Sequence, residues 1–202
     1  MKKKPILYLI FFSALFLIFF FILTRVIPGF ASPKLPPISY VQPFSFTDQD
    51  GNRFTDKNIA GKVYVAEYFF TTCKGICPRL NTNMRTVYNR FKNDENFLIL
   101  SHTCNPETDS FPRLRHYADS MGVSAKRWIF LTGRKDSLYN QARVSYRIDD
   151  PKNNLTTIED DFLHTQFFAL VNKKGEVKQI YDGLKQSEVE DMMEEIDKLL
   201  RE

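Results

Sequence analysis

Residues 62–91 read KVYVAEYFFTTCKGICPRLNTNMRTVYNRF, and the fold turns on this stretch. Lys62 to Phe70 is apolar, β-branched or aromatic over most of its length, which predicts a buried central strand. Leu80, Met84, Val87, Tyr88 and Phe91 recur at helical spacing. Pro78 suits the first turn of that helix, where its missing N–H costs nothing. Between strand and helix, Cys73-Lys74-Gly75-Ile76-Cys77 sets two thiols at a helix mouth. The helix dipole and free backbone N–H groups there favour thiolate over thiol. Thiolates exchange with disulfides or hold soft metals, and the placement argues for either over a structural disulfide.

Similar units extend on both sides. Phe44 to Thr55 reads as a β-hairpin turning at Asp48-Gln49-Asp50-Gly51-Asn52. Phe97 to Thr103 is a second buried strand. Asp109 and Ser110 can cap a helix with Pro112 in its first turn and Leu114, Tyr117, Ala118 and Met121 on its face. Trp128 to Leu131 is a short third strand, and a helix follows over about Asp136 to Val144. Residues 147–162, with Asp149, Asp150, Glu159, Asp160 and Asp161, read as a solvated loop. Thr165 to Val171 and Val177 to Tyr181 form a hairpin across Asn172-Lys173-Lys174-Gly175. The last helix spans Ser187 to Leu200, with Ser187 and Glu190 as a capping box. This order predicts an α/β fold with parallel strand pairs and helices on both faces of the sheet.

The N-terminus predicts one transmembrane helix ahead of that domain. Lys2, Lys3 and Lys4 precede an uncharged, Leu-, Ile- and Phe-rich run from Pro5 to Thr24. It is long enough to cross a hydrocarbon core of roughly 30 Å, and longer than the roughly 7–15 apolar residues of a cleaved signal. The lysines predict a cytoplasmic N-terminus and an exported C-terminal side, the periplasm in a Gram-negative bacterium. The expected divisions are residues 1–4 cytoplasmic, 5–25 anchor, 26–42 a stiff spacer with Pro28, Pro33, Pro36 and Pro37, and 43–202 an exported domain. The net charge of +4 includes the anchor lysines; what remains is nearly balanced, with no basic stripe to suggest nucleic acid. Three cysteines in an exported chain argue for reactive or metal-binding thiols over a disulfide framework.

A strand, a cysteine pair and a helix are the core of a thioredoxin-like fold, but three residues separate the cysteines here where thioredoxin-type centres use two. The longer loop allows a disulfide and also lets both sulfurs bind one ion. His164 precedes the strand from Thr165, a position that abuts the cysteine loop in a thioredoxin-like topology. Two thiolates and an imidazole suit copper: sulfur favours Cu(I), and nitrogen helps the site accept Cu(II).

At these residues the chain resembles the SCO/SenC family of copper-binding assembly factors for cytochrome c oxidase. The resemblance rests on Cys73-x-x-x-Cys77-Pro78, on Trp128-Ile129-Phe130-Leu131-Thr132-Gly133, and on His164 leading into a strand that ends at the Gly175 turn. It implies a thioredoxin-like fold with a single anchor, and copper ligation by Cys73, Cys77 and His164. It further implies delivery of copper to, or thiol reduction of, the binuclear copper centre. The partner would be the copper-binding subunit of the oxidase or another copper chaperone. One segment departs from the family pattern: its Asp-Pro-Glu is Asn105-Pro106-Glu107 here, with a third thiol, Cys104, beside it.

The leading reading is therefore a membrane-anchored metallochaperone. Its alternative is an enzyme, a thiol–disulfide oxidoreductase keeping target cysteines reduced, with Cys73 attacking and Cys77 resolving. Cys104 reads as a small buried residue, His102 as packed in its strand or surface-polar, and His116 as solvent-facing. Met192 and Met193 fall on the apolar stripe of the last helix, where core packing is the expectation.

Overall fold

The computed structural model describes residues 4–26, 36–149, 162–163 and 165–202. The first unit carries α1, Lys4–Val26, 23 residues with no buried side chain. At 1.5 Å per residue it is about 34 Å long, enough to cross a membrane by length and composition.

The second unit, Pro37–Glu202, is built on one eight-stranded sheet. Its strands are β1 (Ser39–Tyr40), β2 (Ser45–Asp48), β3 (Arg53–Thr55), β4 (Val63–Phe69), β5 (Phe97–Thr103), β6 (Trp128–Thr132), β7 (Phe167–Val171) and β8 (Glu176–Asp182), in the order β1-β8-β7-β4-β5-β6-β2-β3. β4, β5 and β6 run parallel; β7 lies antiparallel to β4, and β2 antiparallel to β6. The crossovers are α2 (Cys77–Phe91) and α3 (Phe111–Met121). After β6 come α4 (Lys135–Asn140) and a π-helical turn, Gln141–Tyr146; α5 (Gln186–Arg201) closes the chain.

The three parallel strands are apolar along nearly their whole length because both sheet faces are covered. On one face Val63, Val65, Phe69, Phe97, Ile99, Trp128 and Phe130 pack under α2, α3 and α5. Met192 and Met193 lie in this core, as their helical spacing predicts. On the other face Tyr64, Ala66, Tyr68, Leu98, Leu100, Ile129 and Leu131 meet Phe44, Phe46 and Phe54 of the N-terminal hairpin and Leu138, Tyr139, Ala142 and Tyr146.

The structure departs from the sequence reading in several places. β1 falls inside the expected spacer: Ser39 and Tyr40 pair with Val177 and Glu176, so the chain joins the sheet before residue 43. The helix expected over 136–144 widens into the π-helical turn after Asn140. Ser110 is the N-cap residue of α3 but makes no side-chain cap bond, and Asp109 points elsewhere. The capping box at Ser187 and Glu190 is absent: Lys185 takes the N-cap position, and Glu188 instead accepts the Asp182 N–H at 2.6 Å. Most of the acidic loop, residues 150–161, lies outside the described residues.

One close approach holds α2 against the sheet. A Cβ on Gly183 would lie 2.5 Å from Phe168 Cζ and 2.8 Å from Leu80 Cδ2. The adjoining Gly183 carbonyl accepts Asn83 Nδ2 at 2.7 Å. We expect Gly183→Ala to force Leu80 and Phe168 from their rotamers at a cost of about 1–3 kcal/mol. Urea unfolding of the full-length chain checks this, and an unchanged midpoint would contradict the packing argument.

Candidate functional site

Cys73 and Cys77 sit where β4 runs out and α2 begins. Ile76 occupies the N-cap of α2 and supplies no side-chain cap. The helix therefore starts with backbone N–H groups that lack an intrahelical acceptor. Burial pushes the Cys73 thiol up, but hydrogen bonds from the Cys77 thiol and from the Cys77, Gly75 and Ile76 backbone outweigh it and hold Cys73 below its ordinary value. The Cys73 sulfur thus does the work of the missing cap. Cys77 goes the other way: burial, donation to Cys73 and its negative charge push it up to about 12. Cys73 is half-buried and Cys77 only 5% exposed. The pair is polarised, with an accessible thiolate former in front and a protonated thiol behind it. All three cysteines are free thiols.

A clamp sets the loop that presents Cys73. Asp109 is fully buried. Its carboxylate accepts the Thr71 N–H at 3.1 Å, the Thr71 hydroxyl at 2.5 Å and the Thr103 hydroxyl at 2.7 Å. Arg113 Nε donates to Thr71 Oγ1 at 2.8 Å and lies 3.8 Å from Asp109. Asp109 therefore ties the end of β5 to the chain just before Cys73. Asp109 lies in the same turn as Asn105, its N–H donating to the Asn105 carbonyl, and reaches the cysteine loop from there.

Cys104 is anchored at the same end of the sheet. Its thiol donates to the Phe69 carbonyl at 3.1 Å, and burial followed by the Cys77 charge pushes it above its ordinary range. No group of three or more His, Cys, Asp or Glu side chains among the described residues is placed to hold a metal, so Cys104 does not complete a three-donor cluster with the pair. Two adjacent sulfurs are nonetheless a donor set that fits a soft ion. His164 lies outside the described residues. Its described neighbours are tied down: the Leu163 N–H donates to Tyr139 Oη at 3.1 Å, and Thr165 Oγ1 to the Ile148 carbonyl at 2.8 Å. Phe162 packs edge-on against Phe70, three residues before Cys73, with ring centroids 5.3 Å apart.

Two buried titratable groups sit on neighbouring strands: Glu67, which the sequence reading did not single out, and His102, which it read as packed or surface-polar. Glu67 is 1% exposed, and burial lifts its carboxyl to about 7 despite a hydrogen bond from Ser101. It is the one acid in β4, and an acid inside an otherwise apolar strand is the signal that marks it. His102 is on the opposite face, stacked on Tyr68 with centroids 5.0 Å apart, and neither ring nitrogen has a hydrogen-bond partner among the described residues. Burial lowers it to about 3. His102 is thus packed in its strand, and His116 is exposed on α3.

A model of the SCO1/SenC family matches residues 33–201. The SCO1 protein homolog of Bacillus subtilis (strain 168) is 29% identical over 165 residues, covering 79% of this chain and 83% of its own. The match to the mitochondrial protein SCO1 of Saccharomyces cerevisiae spans only 48% of that longer protein. Among solved structures, BsSco, a member of the Sco family of cytochrome c oxidase assembly proteins with a disulfide switch, superposes with a TM-score of 0.68 at 27% identity, over 81% of this chain and 95% of its own. Copper-bound yeast Sco1 gives a TM-score of 0.59 at 27% identity, over 79% and 89%. The sheet and helices around the pair are therefore those of the thioredoxin-like Sco structures.

Two predictions follow from these environments. Iodoacetamide at pH 7.5 should label Cys73 at least about tenfold faster than Cys77 or Cys104, because Cys73 is lowered and accessible while the other two thiols are raised and buried. Tryptic cleavage after Lys74 puts Cys73 and Cys77 on separate peptides for mass spectrometry, and faster labelling of Cys77 would contradict the assignment. The second concerns stability. Glu67 rises from 4.5 to about 7 on folding, so the folded state binds the extra proton and stability falls as pH rises between those values. His102 falls from 6.5 to about 3, so the unfolded state binds the extra proton and stability falls as pH drops through that window. The slopes oppose each other between pH 4.5 and 6.5. Glu67→Gln should uncover the His102 slope there and be more stable above pH 7 by on the order of 3 kcal/mol. Urea unfolding at a series of pH values reads both; parallel wild-type and variant curves would refute it.

Proposed function

This chain belongs to the SCO1/SenC family, and we propose that it is a membrane-tethered copper chaperone for the maturation of cytochrome c oxidase. Copper is its cargo. The observation that carries the reading is the polarised pair at the uncapped mouth of α2, with Cys73 held toward thiolate. Cys73 and Cys77 would hold the ion through sulfur, and His164 would add an imidazole. The packing of Phe162 on Phe70 supports this, since it brings the chain next to His164 against the cysteine loop. Sulfur ligation suits Cu(I), and the imidazole extends the site toward Cu(II). Ligand exchange through the accessible Cys73 would pass the ion to the copper-binding subunit of the oxidase or to another copper chaperone. Copper bound in the yeast Sco1 structure is consistent with that chemistry.

In this reading α1 anchors the protein by a single pass, with residues 1–4 in the cytoplasm and the thioredoxin-like domain on the exported side. The Pro-rich segment between them acts as the spacer.

The split between Cys73 and Cys77 also favours a second reading, a thiol–disulfide oxidoreductase. The low thiol attacks a partner disulfide, and the high one resolves the mixed disulfide.

Titrating the reduced full-length chain in detergent with Cu(I) against a competing chelator tests the first reading. One equivalent should bind, and Cys73→Ser, Cys77→Ser or His164→Ala should each weaken it by about tenfold or more. Wild-type affinity no tighter than that of the triple variant would refute it. Under the second reading, His164→Ala keeps most disulfide exchange while Cys73→Ser abolishes it.

A further inference from the structure

The third thiol has no part in either reading, yet every polar atom of Cys104 is bonded. Phe69, the last residue of β4, stands four residues before Cys73. Its carbonyl accepts the Cys104 N–H at 2.9 Å and the Cys104 thiol at 3.1 Å. The Cys104 carbonyl in turn accepts the hydroxyl of Tyr139, on α4, at 2.8 Å. Tyr139 Oη accepts the Leu163 N–H at 3.1 Å. These bonds run in one line from the end of β4, past the end of β5 and through α4, to the residue before His164. Cys104, Tyr139 and Leu163 are 3%, 1% and 2% exposed, so the line is formed out of solvent, where a hydrogen bond holds its geometry best.

The line closes on itself. Phe162 packs against Phe70, the residue after Phe69, with ring centroids 5.3 Å apart. The Leu163 side chain is buried in the core that the N-terminal hairpin covers. The ring of Tyr139 is held as well: the Arg143 guanidinium lies 5.4 Å from its centroid and Lys135 Nζ 5.6 Å. Arg143 Nε pairs with Asp149 at 2.7 Å. The segment between Asp149 and Leu163 thus starts and ends on neighbouring side chains, Arg143 and Tyr139. Beyond His164, Thr165 Oγ1 donates to the Ile148 carbonyl, the Gln166 carbonyl accepts the Gly183 N–H at 2.9 Å, and Gln166 Nε2 donates to Asp182 Oδ2 at 2.8 Å. The chain is therefore anchored on both sides of position 164. On the N-terminal side the polar anchor at Leu163 goes through the Tyr139 hydroxyl.

We propose that Tyr139 is a positioning residue for the third copper ligand, with Cys104 as its footing, an inference that rests on the copper reading above. The line Phe69–Cys104–Tyr139–Leu163 sets how far the chain at His164 stands from the cysteine loop. Tyr139 acts through the backbone that carries the imidazole, so less order has to be imposed when the ion binds. Cys104 serves as a strap between the ends of β4 and β5: its sulfur gives the Phe69 carbonyl a second donor and remains a thiol throughout.

The test titrates the reduced, metal-stripped full-length chain in detergent with Cu(I) against a competing chelator, in wild type, Tyr139→Phe, His164→Ala and the double variant. Tyr139→Phe removes the hydroxyl and leaves the ring. It should weaken binding about tenfold, as loss of a ligand-orienting bond does. In the His164→Ala background the same change should cost less than about twofold, because the ligand it positions is gone. Tyr88→Phe is the control: its hydroxyl accepts the Ser124 N–H at 2.9 Å on the other face of the sheet, and the variant should bind copper as wild type does. Cys104→Ser keeps a donor for the Phe69 carbonyl and should also match wild type. Hydrogen exchange of the metal-free chain gives a readout without copper. There Tyr139→Phe should speed exchange of the Leu163 amide at least about tenfold and leave β4 and β5 protected.

Wild-type affinity in Tyr139→Phe overturns the inference. So does an equal loss in the His164→Ala background or in Tyr88→Phe, either of which means a general packing effect, and so does an unchanged Leu163 amide. Cys104→Ser weakening copper as much as Cys73→Ser overturns the strap and makes the sulfur a ligand. Wild-type affinity in His164→Ala overturns the ligand set of the copper reading itself, and the inference with it.

Discussion

The mouth of α2 is the constraint on which the site depends. A helix that begins without a capping side chain leaves backbone donors searching for an acceptor. Here a sulfur supplies it, and the donors return the favour by holding Cys73 toward thiolate. The arrangement works only because the preceding chain cannot drift. Asp109 receives both the amide and the hydroxyl of Thr71 and also the hydroxyl of Thr103, so the loop leaves β4 along a path dictated by β5. The far side of α2 is pressed onto the sheet through Leu80, Phe168 and the bare Cα of Gly183.

Polarity in the pair comes from depth rather than from residue type. Both members are cysteines, yet the one at the surface is lowered and the one in the core is raised. Burial also shifts Glu67 and His102. They sit on neighbouring strands and opposite sheet faces, and burial raises the carboxyl to about 7 and lowers the imidazole to about 3. A wholly apolar sheet would be easier to build, because each unpartnered polar atom in the core costs free energy. On the cysteine face that cost coincides with the redox-capable thiols. On the other face His102 is boxed in by Tyr68, Phe46 and Tyr146.

Much of this was legible from period and spacing. The strand Phe97–Thr103 and the hairpins at 45–55 and 167–182 emerge where the alternation and turn residues put them, because both signals are local. The caps were less legible. Asp109 has the composition of a cap residue, but its carboxylate is taken up by three donors, two from Thr71 in the loop after β4 and one from Thr103 at the end of β5. Ser187 lost its place to Lys185 because Glu188 was drawn back to the Asp182 amide. The lone acid in β4 could have been noticed, since a charge in a buried strand needs a reason.

By itself the sequence determined the order of strands and helices after β1, the apolar N-terminal run and the placing of two thiols at a helix start. These follow from hydrophobic period, chain length and the position of Cys73 and Cys77 relative to Pro78, none of which needs a distant contact. Only the tertiary structure decided which thiol is accessible, what holds the loop before it, and which buried polar groups pair. Each of those depends on residues far apart in the chain, such as Thr71 with Asp109, Glu67 with Ser101 and Asn81 with Tyr117, brought together by the parallel sheet and its crossovers.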